Sequence, residues 1–154
     1  MIKLTITTHC DFIQSPEMIW KGITNDVMTL PKPFCFNLGV PLPQKCEITN
    51  YANNIGKTRR CTSSKGYIDQ IVTCYQPFQK LSFHLDSHNL KTRLRFEAMD
   101  DEFIFTTISP GKTRLQRTTN ITIPPGFALF FRKWAIIRSI KNVHKFVYNN
   151  IKRK

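Results

Sequence analysis

Two arginines stand where a guanidinium could meet an anion. Arg59 and Cys61 are two residues apart, so on a strand they share one face and Arg60 takes the other. A guanidinium on an inward face needs an anionic partner, because a buried unpaired charge is costly. For Arg59 that partner is either the carboxylate or phosphate head of a ligand or an acid of the protein, unless the residue sits at the rim of a sheet. The residues alone leave these readings open. Arg117 shares its face with Leu115, Thr119 and Ile121. It poses the same choice between ligand contact and a partly buried structural arginine, with the Thr119 hydroxyl beside it.

Other polar residues carry weaker signals. His84, Asp86 and His88 fall at a period of two and would share a face on a continuous strand, where they could hold a metal. Asp86-Ser87-His88-Asn89 also reads as turn chemistry that ends the strand first. That reading is preferred, and no metal or other cofactor is expected. His144 lies beside an apolar helical stripe, and no acid follows Glu102 in the chain. A core or boundary histidine with satisfied nitrogens is expected there, unless an acid arrives from a sheet. Asp86, Asp100 and Asp101 are read as turn acids that form no general acid/base pair. The chain has no serine nucleophile elbow, phosphate-binding glycine loop, dinucleotide fingerprint or paired-histidine zinc motif. Nothing local demands catalysis.

The elements that must position these residues follow from periodicity and turn signals. Residues 2–14 alternate as a long strand. Ser15-Pro16-Glu17 starts a helix, with Ser15 as cap and Pro16 in the first turn, and it fades near Asn25. Residues 29–43, with Pro31, Pro33, Pro41 and Pro43, form an irregular flap whose Phe34, Phe36 and Leu38 need burial. Strands are expected at 45–51, 57–63, 67–75, 80–85, 92–97, 102–108 and 112–123, separated by short turns that imply an antiparallel meander. After Pro124-Pro125-Gly126 comes a long helix. Ile136, Ile140, Val143, Val147 and Ile151 form one stripe, with Arg138, Lys141, Lys145 and Lys152 nearly opposite. The layout is α+β, with a curved sheet wrapped around one helix. Such a sheet packs tightly only at its middle, so a hollow is expected beside the helix, capped by the flap.

Composition narrows the class. The 154 residues suit one domain over 1–154, and 12 Phe among 41% hydrophobic residues exclude a disordered tail. The net charge of +13 is uneven, since residues 103–154 hold 11 Lys/Arg and no acid. Such asymmetry raises nucleic acid or an anionic membrane as partners, against a plain solvated basic face or the Lys, Ile and Asn bias of AT-rich coding sequence. No zinc-finger, RNA-binding or recognition-helix motif supports nucleic acid. Met1–Thr5 begins no long apolar run, so no secretory leader is expected. The run Phe127–Phe131 is far short of the ~20 apolar residues of a membrane span. The five Cys lack a C-x-x-C pair, and reduced, buried thiols in a cytoplasmic protein are expected.

Several residues in order resemble a known family. They are Gly39-Val40-Pro41, Gly56-x-x-Arg59-x-Cys61, Gly66 with Ile71-Val72, and Pro77 with Leu81-Ser82-Phe83. Gly111-x-Thr113-Arg114-Leu115 with Thr118-Thr119, then Pro125 with Trp134, complete the set. The chain resembles the START-like (SRPBCC) superfamily, in particular its polyketide cyclase/dehydrase and lipid transport group. The resemblance implies a helix-grip fold with a ligand cavity between the sheet and the last helix. Two departures stand out: Gln70 where similar proteins often carry an acid, and the additional strand at 92–97. The expected function is binding or transport of a hydrophobic small molecule such as a lipid, fatty acid or polyketide-like compound. A cyclase or dehydratase is the alternative, and nucleic-acid binding is less favoured. Arg59, Cys61, Tyr75, Phe83, Phe105, Arg117, Thr119 and Trp134 are the expected ligand-binding residues. The basic side of the last helix, with Trp134, could touch anionic lipid headgroups.

Overall fold

Alternating inward side chains and short turns give one continuous antiparallel sheet. The computed structural model describes residues 1–31, 40–48, 55–91 and 95–154. Its strands are β1 (Ile2–Phe12), β2 (Asn25–Val27), β3 (Pro43–Ile48), β4 (Thr58–Ser63), β5 (Gly66–Gln76), β6 (Lys80–His88), β7 (Ala98–Ser109) and β8 (Lys112–Ile123). They lie in the order β1-β8-β7-β6-β5-β4-β3-β2, so the first strand closes against the last and the rest form the expected meander. The helices are α1 (Pro16–Thr24) and α2 (Leu129–Lys152).

Local chemistry sets the helix ends. Ser15 is extended and its hydroxyl accepts from the Met18 amide at 3.4 Å, while Pro16 takes the first turn. Pro124 and Pro125 stop β8, and α2 then runs for 24 residues, about 36 Å at ~1.5 Å per residue. Its buried stripe includes Ile136, Ile140, Val147 and Ile151, and Arg138, Lys141, Lys145 and Lys152 are exposed. Gly22 permits the crossing of α1 and α2, since a Cβ there would lie 2.9 Å from Ile151 Cγ1.

Four details differ from the sequence-based expectation. β7 begins at Ala98, so Asp100 and Asp101 are strand residues and not a turn. β6 continues to His88 and does not stop before Asp86. Residues 95–97 form no strand, and 92–94 lie outside the described residues. The short edge strand β2 was not anticipated. Phe34, Phe36 and Leu38 of the flap, Gly39 of the resemblance, and residues 49–51 of the second expected strand also lie outside the described residues.

The core has two parts. One gathers Phe12, Ile19, Trp20, Phe83, Phe103 and Tyr148 under α1 and the C-terminal half of α2. The other gathers Ile6, Met99, Ile121, Ile123, Ile136 and Ile140 under its N-terminal half.

Candidate functional site

Alternation on β4, β5, β7 and β8 points a set of polar side chains at α2. A cavity of about 100 Å³ lies there. Its apolar wall includes Ile68, Met99 and Ile121 from the sheet and Ile136, Ile140 and Val143 from α2. Val40, Pro41 and Pro43 line it from the flap side. Arg59, Asp101, Arg117 and Thr119 supply its charged groups and one hydroxyl, and Thr62 and Ser63 add further hydroxyls.

Asp101 organises that polar end. It is 1% exposed, and each carboxylate oxygen accepts two hydrogen bonds. Oδ1 accepts from Arg117 Nε at 3.2 Å and from the Thr119 hydroxyl. Oδ2 accepts from Arg117 Nη2 at 2.8 Å and Gln70 Nε2 at 3.3 Å. Burial alone would raise its pKa, but the charge and hydrogen bonds of Arg117, helped by Thr119, hold it well below the usual carboxylate range.

The remaining protons follow from donor counting. Thr119 spends its only hydroxyl hydrogen on Asp101, so its oxygen accepts from His144 Nε2 at 2.9 Å. His144 Nδ1 then accepts from the Thr8 hydroxyl at 2.8 Å. Tyr148 lies 2.9 Å from that same hydroxyl. His144 is fully buried, and its pKa is lowered to about 3 by burial and by Arg117, against the opposing pull of Asp101. It is a neutral imidazole with both nitrogens occupied, as expected for a core histidine. The acid that orders it does arrive from the sheet, through Thr119.

Arg59 is 4% exposed. It donates to Gln70 Oε1 at 2.8 Å and to the Ile23 carbonyl at 3.3 Å, and its guanidinium lies 4.6 Å above the Phe83 ring. Its Nε has no hydrogen-bond partner among the described residues. Burial lowers its pKa to about 9, with repulsion from Arg117 adding and attraction to Asp101 opposing. Arg60 takes the other face, where Asp69 grips it with two hydrogen bonds of 2.7 Å.

The expected site residues divide. Arg59, Cys61, Arg117 and Thr119 meet at the cavity. Phe83 lies in the core below, touching Arg59 through its ring. Tyr75 and Phe105 pack on Trp20 of α1, at centroid distances of 5.1 and 5.4 Å. A bulge at Thr73 shifts the parity of β5 before Tyr75. Trp134 is 51% exposed on the outer side of α2, away from the cavity. Asp101, Met99 and Ile68 were missed. The signal for Asp101 was the alternation Met99, Asp101, Phe103, Phe105, legible once β7 is started at Ala98.

One further expectation changes. Cys46 and Cys61 face each other across β3 and β4 and are joined by a disulfide, so these two are not reduced thiols. Both line the cavity. His84 is paired with Asp100 at 2.6 Å and His88 stacks on Phe96, and no cluster suited to a metal occurs among the described residues. No helix among them is long and apolar enough to cross a membrane.

No family model matches the sequence, and no curated protein matches it. Solved structures do match in shape. A major latex-like protein from Panax ginseng superposes with a TM-score of 0.69 at 8% identity, covering 99% of this chain and 97% of its own. The Zhui aromatase/cyclase from a Streptomyces species gives 0.68 at 9% identity, covering 99% and 93%. A START superfamily protein from Mycobacterium smegmatis gives 0.66 at 14% identity, covering 97% of both chains. The fold is the START-like helix-grip fold, with a curved antiparallel sheet and a long C-terminal helix.

Proposed function

We propose that this chain binds a small hydrophobic molecule in the cavity between its sheet and α2, as a carrier or binder and not as an enzyme. The observation that carries this is the cavity itself, a largely apolar space with a few polar groups in its lining. Its volume of about 100 Å³ suits a short acyl chain or a single ring. Pockets for drug-sized ligands start near ~300 Å³. Arg59, Cys61, Arg117 and Thr119 are the proposed contacts, joined by Met99 and Ile136.

The cyclase or dehydratase alternative gains from the polar cluster and from the aromatase/cyclase of similar shape. Acid–base work needs a group free to exchange a proton near neutral pH. Asp101 accepts four hydrogen bonds and stays ionised, and both nitrogens of His144 are engaged. Binding therefore accounts for the arrangement better than catalysis. Native mass spectrometry of freshly purified protein should show a co-purified apolar ligand. A protein that arrives empty and takes up nothing from a panel of short fatty acids, alcohols and aromatic rings overturns the reading.

We further propose that the ligand is exchanged at an anionic membrane surface. Phe127, Phe130 and Phe131 are 99, 78 and 70% exposed at the start of α2, beside Trp134. On the helical wheel Phe130, Phe131 and Trp134 share a face with exposed Arg138, Lys141 and Lys145. Arg138 lies 5.5 Å over the Trp134 ring. Exposed aromatics beside cations suit an anionic interface. Ile136 and Ile140 line the cavity from the opposite side of the same turns.

A further inference from the structure

We propose that the cavity selects ligands bearing a single carboxylate and that Arg59 receives it. This rests on the cavity being a ligand site, and it adds the chemistry of the ligand's head. Three observations converge on Arg59. It is nine-tenths buried and lines the cavity. Its two partners, Gln70 and the Ile23 carbonyl, are neutral. Its Nε–H has no partner among the described residues.

The nearby acid is already committed. Arg117 takes both oxygens of Asp101, and Thr119 and Gln70 fill their remaining positions. Two guanidinium groups thus face one carboxylate, which leaves one positive charge in excess among buried side chains. Such a charge is costly to bury without an anion. The Phe83 ring 4.6 Å away supports the guanidinium face but carries no net charge.

Gln70 decides the sign. It accepts from Arg59 with its oxygen and donates to Asp101 with its nitrogen, so it links the two without adding charge. A glutamate there would neutralise the cluster within the protein. With glutamine, neutrality needs one negative charge from outside. A monoanionic carboxylate supplies that charge and can accept the free Nε–H in a charge-assisted hydrogen bond. A phosphate dianion would overshoot. The apolar wall from Ile68 to Ile140 receives the rest of the molecule.

The test compares head groups on one tail, with octanoic acid, octanol and octylamine titrated into the full chain at neutral pH by calorimetry. Octanoic acid should bind at least ~10-fold more tightly than octanol, since hydrogen bonds to charged groups are worth ~1.5–3 kcal/mol and ~1.4 kcal/mol is tenfold. Octylamine should not bind. Arg59→Gln should abolish the advantage of the acid over the alcohol. Because that variant removes a buried group, the isotope-labelled carboxyl carbon of octanoic acid is also followed by NMR on the unmodified protein. The bound carboxyl should stay ionised well below the pH at which free acid protonates. Equal binding of acid and alcohol, or a bound carboxyl that titrates like free acid, overturns the carboxylate assignment and leaves the cavity standing. Failure of acid and alcohol alike overturns the cavity reading and this inference with it.

Discussion

Arg117 holds Asp101 by two parallel hydrogen bonds, Nε to Oδ1 at 3.2 Å and Nη2 to Oδ2 at 2.8 Å, from the strand next to it. Asp101 pairs in register with Thr119 and Phe103 with Arg117, so the arginine reaches diagonally across β7 and β8. The ion pair is buried on both sides, at 1% and 10% side-chain exposure. Breaking a buried pair by removing one partner costs ~3–5 kcal/mol, because the other charge is left uncompensated. Asp101→Asn keeps the shape and deletes the charge, so it should lower the urea-unfolding free energy by about that amount. The double variant Asp101→Leu with Arg117→Met should recover most of the loss. A cost below ~1 kcal/mol for Asp101→Asn would show that the pair does not hold the sheet and the polar end of the cavity together.

Acid should unfold the protein earlier than carboxylate titration alone would. His144 has a folded pKa of about 3, below the ordinary histidine value of 6.5. Between those values the unfolded chain binds a proton that the folded chain refuses, so stability falls as pH falls. The slope approaches ~1.4 kcal/mol per pH unit below the unfolded pKa. Asp101, whose pKa is lowered on folding, adds a second loss below the usual carboxylate range. Thermal melting between neutral pH and pH ~4 checks the first part. His144→Gln should flatten that region while leaving the steeper fall at lower pH. A wild-type profile flat down to pH ~4 would contradict a neutral buried imidazole.

The disulfide between Cys46 and Cys61 spans 15 residues, and a loop of that length is worth ~3 kcal/mol. Alkylation of the denatured protein without reductant should leave these two cysteines unmodified, and reductant should expose both. The unfolding midpoint should drop on reduction. Labelling of both cysteines in the unreduced protein would remove the bridge.

Why Arg59 and Arg117 could be placed from sequence while Asp101 could not is a matter of where each strand starts. Arg59 and Arg117 sit well inside runs with turn signals on both sides, so period-two alternation alone sends them inward. Asp100-Asp101-Glu102 has the composition of a turn, and three charged residues hide the alternation of Met99, Phe103 and Phe105. Once β7 was begun at 102, no acid remained for either arginine. The partner of Arg59 thus stayed undecided, and His144 had no visible neighbour. The bulge at Thr73, which composition does not encode, puts Tyr75 opposite buried Leu81, where its ring packs on Trp20 of α1 and not among the residues that line the cavity. Trp134, expected among the ligand contacts, lies instead on the basic side of α2, which wheel angle alone decides. The Cys46–Cys61 pairing needed the register of β3 on β4, which spacing does not supply.

The exposed face of α2 should bind anionic vesicles. The chain has two tryptophans, Trp20 at 7% exposure and Trp134 at 51%, so a blue shift on adding vesicles reports Trp134 entering the interface. Each Lys or Arg near an anionic surface contributes ~1 kcal/mol, and Arg138, Lys141 and Lys145 are placed to do so. Their attraction alone would hold the helix loosely above the headgroups and leave the tryptophan emission unchanged. Burial of the Phe130 and Phe131 rings supplies the apolar part, about 1.5–3 kcal/mol for a fully buried ring. Vesicles of phosphatidylserine and phosphatidylcholine should therefore sediment the protein and shift its emission, and pure phosphatidylcholine should do neither. Rising salt should weaken binding, since exposed charges are screened beyond a Debye length of ~8 Å at 0.15 M. Phe130→Ser with Phe131→Ser should abolish the blue shift and leave only weak, salt-sensitive sedimentation, without loss of thermal stability, because neither ring packs in the core. Equal binding to neutral and anionic vesicles would refute the electrostatic part, and a double variant that still shifts its emission would refute the aromatic part.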